Sequence, residues 1–486
     1  MVYHLVRKVT LQLSCFGFLL LGLHATAQDV LPFPEVGPIV RNVTSDRIEL
    51  MGQGEKSQDV QGVLRYAKIL NNGLLESFSN PESFTMLDTD RRVGRVVINS
   101  LEPGTKYRLQ IGYTDQGFAL DNLHWDQAHQ LTVQTLSDPP NDYFSFLTGS
   151  CRRLDEIFGI SLWGKKGDKI FDAMVKNIKI AEASGGKTDF IAFTGDQIYA
   201  DATPIHACRS FDEYARRYEL AFSQIFMRRL LASGIPIYMM RDDHEWWNNA
   251  DKEEQDGRAK QNQAAQKAYD LFQRPQGKDT PHWWYTTTGD VNVFFMDVRS
   301  EREPSQARMI SNDQMEALKE WLVREDQQDR IKIIVSSVPM FLLDTDDSWG
   351  GYKSQLADLI THIIDNNIKY LMVLSGDAHC ENDALFTIYN KEGKAKGQIL
   401  EVLVSGLFAV SREKAGQLSD RMDLLEHGYY VRANGGLRPT VTKNLFARIS
   451  GDQRTKNVGI WVYDRNNKLL KEACYDLEKG EKRLTY

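Results

Sequence analysis

Four short apolar stretches, each followed within three residues by a side chain that can bind a metal, constrain this chain more than its length does. The clearest runs from Asp189 to Asp201, Asp-Phe-Ile-Ala-Phe-Thr-Gly-Asp-Gln-Ile-Tyr-Ala-Asp. Residues 190–194 read as a buried strand that stops at Gly195, and Asp196, Tyr199 and Asp201 follow at once. Acidic groups just past the C-terminal end of a buried strand stand where open α/β sheets bind ligands. Taken alone, such a stretch is equally a turn in which Gly bends the chain and Asp caps a helix. Three further stretches repeat the pattern. Residues 143–148 lead into Gly149-Ser-Cys151, 235–240 into Arg241-Asp-Asp-His-Glu245, and 369–375 into Gly376-Asp-Ala-His379. Thiolate, carboxylate, phenolate and imidazole are all metal ligands. Their mixture points to a transition metal beside one or two harder cations, rather than to a structural zinc knot.

The chain opens with Arg7 and Lys8, an apolar run over 9–23 and Ala25-Thr-Ala27, the layout of a secretory signal peptide over 1–27. No other apolar run approaches the length of a membrane span, so the mature chain is expected to be exported without one. Without the leader, 57 basic residues face 66 acidic ones, a formal charge of −9. An acidic chain lacking Lys/Arg runs is a poor nucleic-acid binder and suits cations better. Cys151, Cys208, Cys380 and Cys474 are too scattered for a disulfide scaffold.

Residues 31–137 read as all-β, with strands at 47–51, 60–66, 94–98 and 107–113 divided by turns such as Asn71-Asn-Gly73. Leu101-Glu-Pro-Gly-Thr-Lys-Tyr107 resembles the entry to a late strand of fibronectin type III modules, which implies a β-sandwich. After Pro139-Pro140, strands alternate with helices expected at 168–183, 211–231, 261–272, 313–322 and 354–364. Residues 446–449 and 458–463 flank Gly451-Asp452 as a hairpin, and 141–486 reads as an α/β domain with mixed sheets.

Gly149-Ser-Cys151, Gly195-Asp-Gln-Ile-Tyr-Ala-Asp201, Asp242-Asp-His-Glu245 with Asn248-Asn249, Phe295-Met-Asp-Val-Arg299 and Gly376-Asp-Ala-His379 together resemble the PhoD-like family of alkaline phosphatases and phosphodiesterases. That family is a branch of the calcineurin-like metallophosphatases, and the resemblance implies an αββα sandwich of mixed sheets behind the small β-domain. It also implies Fe3+ with Ca2+, in preference to Zn2+ or Mn2+. Cys151 and Tyr199 would bind the iron, and Asp196 would bridge the metals. Asp242 or Asp243, Asp377 or His379, and Asn248 or Asn249 would complete the shells. The departures from other calcineurin-like enzymes, Cys151 at the first position and Arg241-Asp-Asp-His-Glu245 in the middle, fit this branch. The covering C-terminal helix of some members is not evident in 469–486.

Hydrolysis of phosphate mono- or diesters by attack of a metal-bound hydroxide follows from that reading. The substrate would be a small-molecule, lipid or polymer phosphate ester. His244 would stabilise the transition state or protonate the leaving oxygen, and Arg152 and Arg299 would grip phosphate oxygens. Trp246, Trp247, Trp283 and Trp284 either line a leaving-group pocket or pack the core. The alternative class is a cell-surface binding or adhesion protein with a structural metal site. A closed coordination shell would mark that class, and an exchangeable position the enzyme.

Overall fold

A computed structural model describes residues 34–483, apart from 56–59, 127, 155, 158–159, 162–163, 203–206, 276–280 and 325–327. The expected leader over 1–27 lies outside the described residues.

The N-terminal strands pair only with one another. Val36–Val43, Ile48–Gln53 and Val93–Ile98 form one antiparallel sheet, and Glu82–Met86, Val60–Lys68, Lys106–Asp115 and His129–Gln134 form a second. Alternate side chains from both, among them Val40, Leu50, Leu64, Val96, Leu109 and Val133, meet in one buried cluster, the core of a sandwich. Tyr107 accepts a hydrogen bond from the Glu102 backbone at 2.9 Å, which pins the turn before its strand.

Two larger sheets follow. The seven-stranded sheet has the order Ile237–Met239, Phe190–Phe193, Tyr143–Gly149, Leu445–Asp452, Asn457–Asp464, Leu469–Asp476 and Glu481–Arg483. The eight-stranded sheet runs Trp284–Thr288, Val291–Phe295, Lys332–Val335, Leu371–Ser375, Ala395–Val404, Glu381–Asn390, Tyr429–Ala433 and Arg421–Leu424. Phe146, Phe190, Phe295, Met372, Leu400, Ile449 and Ile460 fill the space between them. Helices Gly164–Ala183, Phe211–Phe222, Ile225–Leu231 and Ala259–Phe272 cover the first sheet, while Asn312–Leu322 and Lys353–Asp365 cover the second. The result is an αββα sandwich of mixed sheets. The tail holds strands Leu469–Asp476 and Glu481–Arg483, and Leu445–Asp452 pairs with Asn457–Asp464 as the expected hairpin.

The helix expected over 211–231 is two helices. Asp168 accepts backbone hydrogen bonds from Phe226 at 2.6 Å and Met227 at 3.0 Å, capping the second helix so that the chain breaks at Ser223 and Gln224. Arg152 donates to the carbonyl of Ala221 at 2.6 Å and pairs with Asp168 at 3.4 Å, closing the same break from the other side.

A buried ion cluster joins the two sheets. Lys471 reaches Glu381 at 2.9 Å and Asp383 at 2.8 Å. Burial, with the neighbouring Asp383, pushes the Glu381 carboxyl up to about 8. Lys471→Met takes the cation from Glu381 and leaves Asp383 with Arg438 alone, at 3.3 Å, and is expected to destabilise the chain by about 3–5 kcal/mol in chemical denaturation. The Glu381 carboxyl keeps a proton in the folded chain that the unfolded chain loses near pH 4.5. Its contribution is therefore fully present below that pH and is lost as pH rises through about 8. Glu381→Gln should flatten that part of the stability–pH profile, and an unchanged slope would assign it to other groups.

Candidate metal centre

Parallel register brings the strand ends to one edge. Phe193 lies beside both Gly149 and Met239, so Cys151, Asp196 and Asp242 leave the first sheet together. Phe295, Val335 and Leu374 are in register in the second sheet, which delivers Asp297, Ser337 and Asp377 to the same edge. Cys151, Asp196, Asp377 and His379 have φ of 61°, 56°, 61° and 55°, the left-handed region that non-glycine residues seldom enter. Four such residues in one site signal that the surrounding contacts hold the backbone there. Gly195, at φ 103°, passes so close to Asp242 that a Cβ would sit 2.4 Å from the Asp242 Cβ.

The candidate ligands form three overlapping groups. Cys151, Asp196 and His379 make one; Asp196, Asp243 and His244 another; Asp196, Asp242, Asp243 and Asp377 the third. Within each group one ligand atom per residue lies within 4.8 Å of all the others. Asp196 belongs to all three, as a bridging carboxylate must. The Tyr199 hydroxyl donates to Asp196 at 3.1 Å and lies 3.2 Å from His379 Nε2. Ser405 donates to the Cys151 sulfur at 3.1 Å. Asp242 Oδ2 and Asp243 Oδ1 are buried with no hydrogen-bond partner, which is the state of carboxylate oxygens aimed at a cation. The residues present therefore fit metal ions.

The electrostatics agree. Burial and the Asp196 carboxylate raise the Cys151 thiol and the Tyr199 phenol well above their usual ranges, so an added cation is what would ionise them. Burial, with Asp243 and Asp377, pushes Asp242 up to about 7. Burial, with Lys414 and His244, holds His379 down at about 4, leaving the neutral imidazole that ligates metals. Burial opposes charge on His244, but Asp243, Asp196 and Asp201 outweigh it and raise its pKa.

A cavity of about 390 Å³ opens over these groups, lined by Tyr199, Asp243, His244, Asn248, Asn249, Asp377, His379, Lys414 and Arg153. His244 Nδ1 is 2.7 Å from Asp201, and its ring stacks on Tyr199 with centroids 4.1 Å apart. Asn248 donates its backbone N–H to Asp201 at 2.6 Å, and Asn249 donates its own to Asp243 at 2.6 Å.

Two of the expected arginines lie away from the cavity wall. Arg152 is fully buried in the helix break, stacked on Phe171, and does not line the cavity. Arg299 is also fully buried, and its guanidinium is shared among Asp242, Asp347 and Asp243. Trp246 and Trp284 belong to the core, and Trp247 and Trp283 pack against it. Sequence reasoning passed over Asp201 as a partner for His244, and Glu245, Asp347 and Lys414 altogether. Lys414 donates to Asp377 at 2.8 Å from the short helix Arg412–Gly416. Asp201 and Glu245 stood inside quoted motifs; Asp347 and Lys414 lie in segments with no motif.

Gly195→Ala should cost about 2–4 kcal/mol, since it adds positive-φ strain to a forced contact between two site loops. Denaturation of the metal-free protein measures it, and an unchanged midpoint would show that the loops need no such approach.

The family model described as PhoD-like phosphatase matches residues 161–425. A solved structure titled "Structure of PhoD" is 15% identical, with 94% of this chain and 92% of that chain covered at a TM-score of 0.69. A Bacteroides uniformis β-glucuronidase, 8% identical over 73% of this chain and 41% of its own, reaches a TM-score of only 0.23 and carries no argument. No curated protein matches the chain.

Proposed function

The chain belongs to the PhoD-like phosphatase family and is a hydrolase of the alkaline phosphatase/phosphodiesterase type; we propose that it is an exported enzyme that hydrolyses phosphate mono- or diesters with Fe3+ and Ca2+. The observation that carries the metal-dependent reading is the convergence of Cys151, Asp196, Tyr199, Asp242, Asp243, Asp377 and His379 under an open cavity. A merely structural site would be closed. Among the described residues no helix is long and apolar enough to cross a membrane, and the proposed export rests on the sequence of the 1–27 leader. In this reading 31–137 is the β-sandwich and 141–486 the hydrolase domain.

Cys151, Tyr199 and His379 would hold the iron, Asp196 would bridge, and Asp242 or Asp243 with Asp377 would hold calcium, Asn248 or Asn249 adding an oxygen. Bound there, the ions would offset the negative charge of the ester and lower the pKa of a coordinated water. The protein's own groups position and move protons. Asp201 fixes the His244 ring through Nδ1, leaving Nε2 to donate a hydrogen bond or a proton to the leaving oxygen. Arg299 keeps Asp242 and Asp243 side by side against their repulsion. Lys414, at the cavity wall, adds a positive charge beside Asp377 where an anionic ester enters.

Asp196→Asn should abolish hydrolysis of bis- and mono-nitrophenyl phosphate while leaving the circular dichroism spectrum unchanged; retained turnover would remove Asp196 from the bridge. Tyr199→Phe should bleach any visible tyrosinate–iron band. A band that persists would acquit the phenol.

A further inference from the structure

Helix Ala259–Phe272 ends at Gln273, with no glycine to close it in the left-handed conformation. The Tyr269 carbonyl takes the backbone amides of Gln273 and Arg274 at 2.9 and 3.0 Å, and the carbonyls after it must find donors elsewhere. The N-terminal β-sandwich supplies them. Arg41, in strand Val36–Val43, is fully buried and donates to the carbonyls of Phe272 and Gln273, the latter at 2.7 Å. Arg95, in strand Val93–Ile98, donates to the carbonyls of Asp270 at 2.5 Å, Arg274 at 2.7 Å and Pro275 at 3.2 Å. Two guanidiniums from another unit thus close one helix end, where their charge also meets the negative pole of the helix. An arginine is rarely buried in full, so its partners must be specific.

The capped residue leads to the metal centre. The Gln273 side chain donates to the Met240 carbonyl at 2.6 Å and to Glu245 at 3.2 Å. The buried Glu245 carboxylate in turn accepts the backbone N–H groups of Gln197 at 2.6 Å, Asp242 at 2.8 Å and Asp196 at 3.1 Å. These belong to the two loops that carry Asp196, Asp242 and Asp243. Glu245 is thus the peg on which both loops hang. Gln273 is the only residue that touches Arg41 and Glu245 alike among the hydrogen bonds described.

We propose that the β-sandwich is a working part of the hydrolase site, with Arg41 acting as a positioning residue through Gln273 and Glu245 on the loops that bear Asp196 and Asp242. A sandwich that served only as a spacer would not need buried charge at this helix end. Arg41 holds the Gln273 backbone, Gln273 holds Glu245, and Glu245 sets the separation of the candidate ligand loops. Removing the Arg41 donors lets the helix end shift, and the loop amides lose their common acceptor.

The test is hydrogen exchange on the full-length, metal-free chain, which reads the amides directly and does not depend on turnover. Arg41→Met should raise exchange of the Asp196, Gln197 and Asp242 amides on the order of tenfold or more, with strand Asn457–Asp464 unchanged. In the metal-loaded protein kcat for bis-nitrophenyl phosphate should fall on the order of tenfold, with KM held within about twofold. Gln273→Met should do the same, and the double variant should be no worse than the worse single one. Arg108→Gln, half-buried in the same sandwich and bonded only to Thr132 and Gln130 among the side chains described, should change neither readout. Unchanged exchange at the three amides would overturn the proposal. So would a uniform rise along the chain, or additive losses in the double variant. Should Arg41→Met not fold, Arg95→Met, which touches the same helix end from a less buried position, carries the same criteria. A wild-type chain that hydrolyses neither nitrophenyl ester would sink the proposed function, while the exchange data would still decide the relay.

Discussion

Asp196, Asp242, Asp243 and Asp377 each place a carboxylate oxygen within 4.8 Å of the others, in a region where all four are buried. Like charges so close in low dielectric cannot all be ionised unless cations stand among them. The chain offers two of its own, Arg299 and Lys414, both drawn to this cluster. Two buried oxygens still lack partners, and a thiol and a phenol wait beside them. Much of the surrounding structure reads as a response to that repulsion. Left-handed backbone at four candidate ligands, a glycine pressed against Asp242 and the triple acceptor Glu245 all hold groups that would otherwise separate.

The αββα sandwich makes such crowding feasible. Each sheet contributes parallel strands with their C-terminal ends on one edge, and face-to-face packing superimposes the two edges. Cys151, Asp196 and Asp242 come from one sheet, Asp377 and His379 from the other. The site therefore straddles the interface between sheets, and the buried Lys471 cluster elsewhere at that interface helps fix how they sit.

Much of this was legible in the residues. Short apolar strands ending in Asp196, Asp242 or Asp377 announced both the sheets and the site, because strand-end chemistry is local in sequence. Groups that act across the fold were not legible. Lys414 sits on a five-residue helix with no periodic signal, and Asp347 in a loop among other acidic residues. Arg152 and Arg299 follow strand ends as phosphate-binding arginines do. Only burial shows that one closes a helix break and the other orders carboxylates. The division of the helix over 211–231 was hidden for the same reason, since its cap, Asp168, lies more than fifty residues earlier.

If metal ions occupy this carboxylate–thiol–phenol cluster, hydrolysis depends on them. The direct measurement is metal analysis of the purified, untagged protein, followed by phosphoesterase assays after chelation and after metals are returned. Iron and calcium should be bound to the chain, with turnover lost on chelation and restored by readdition. A metal-free chain that hydrolyses phosphate esters at an undiminished rate would contradict that dependence.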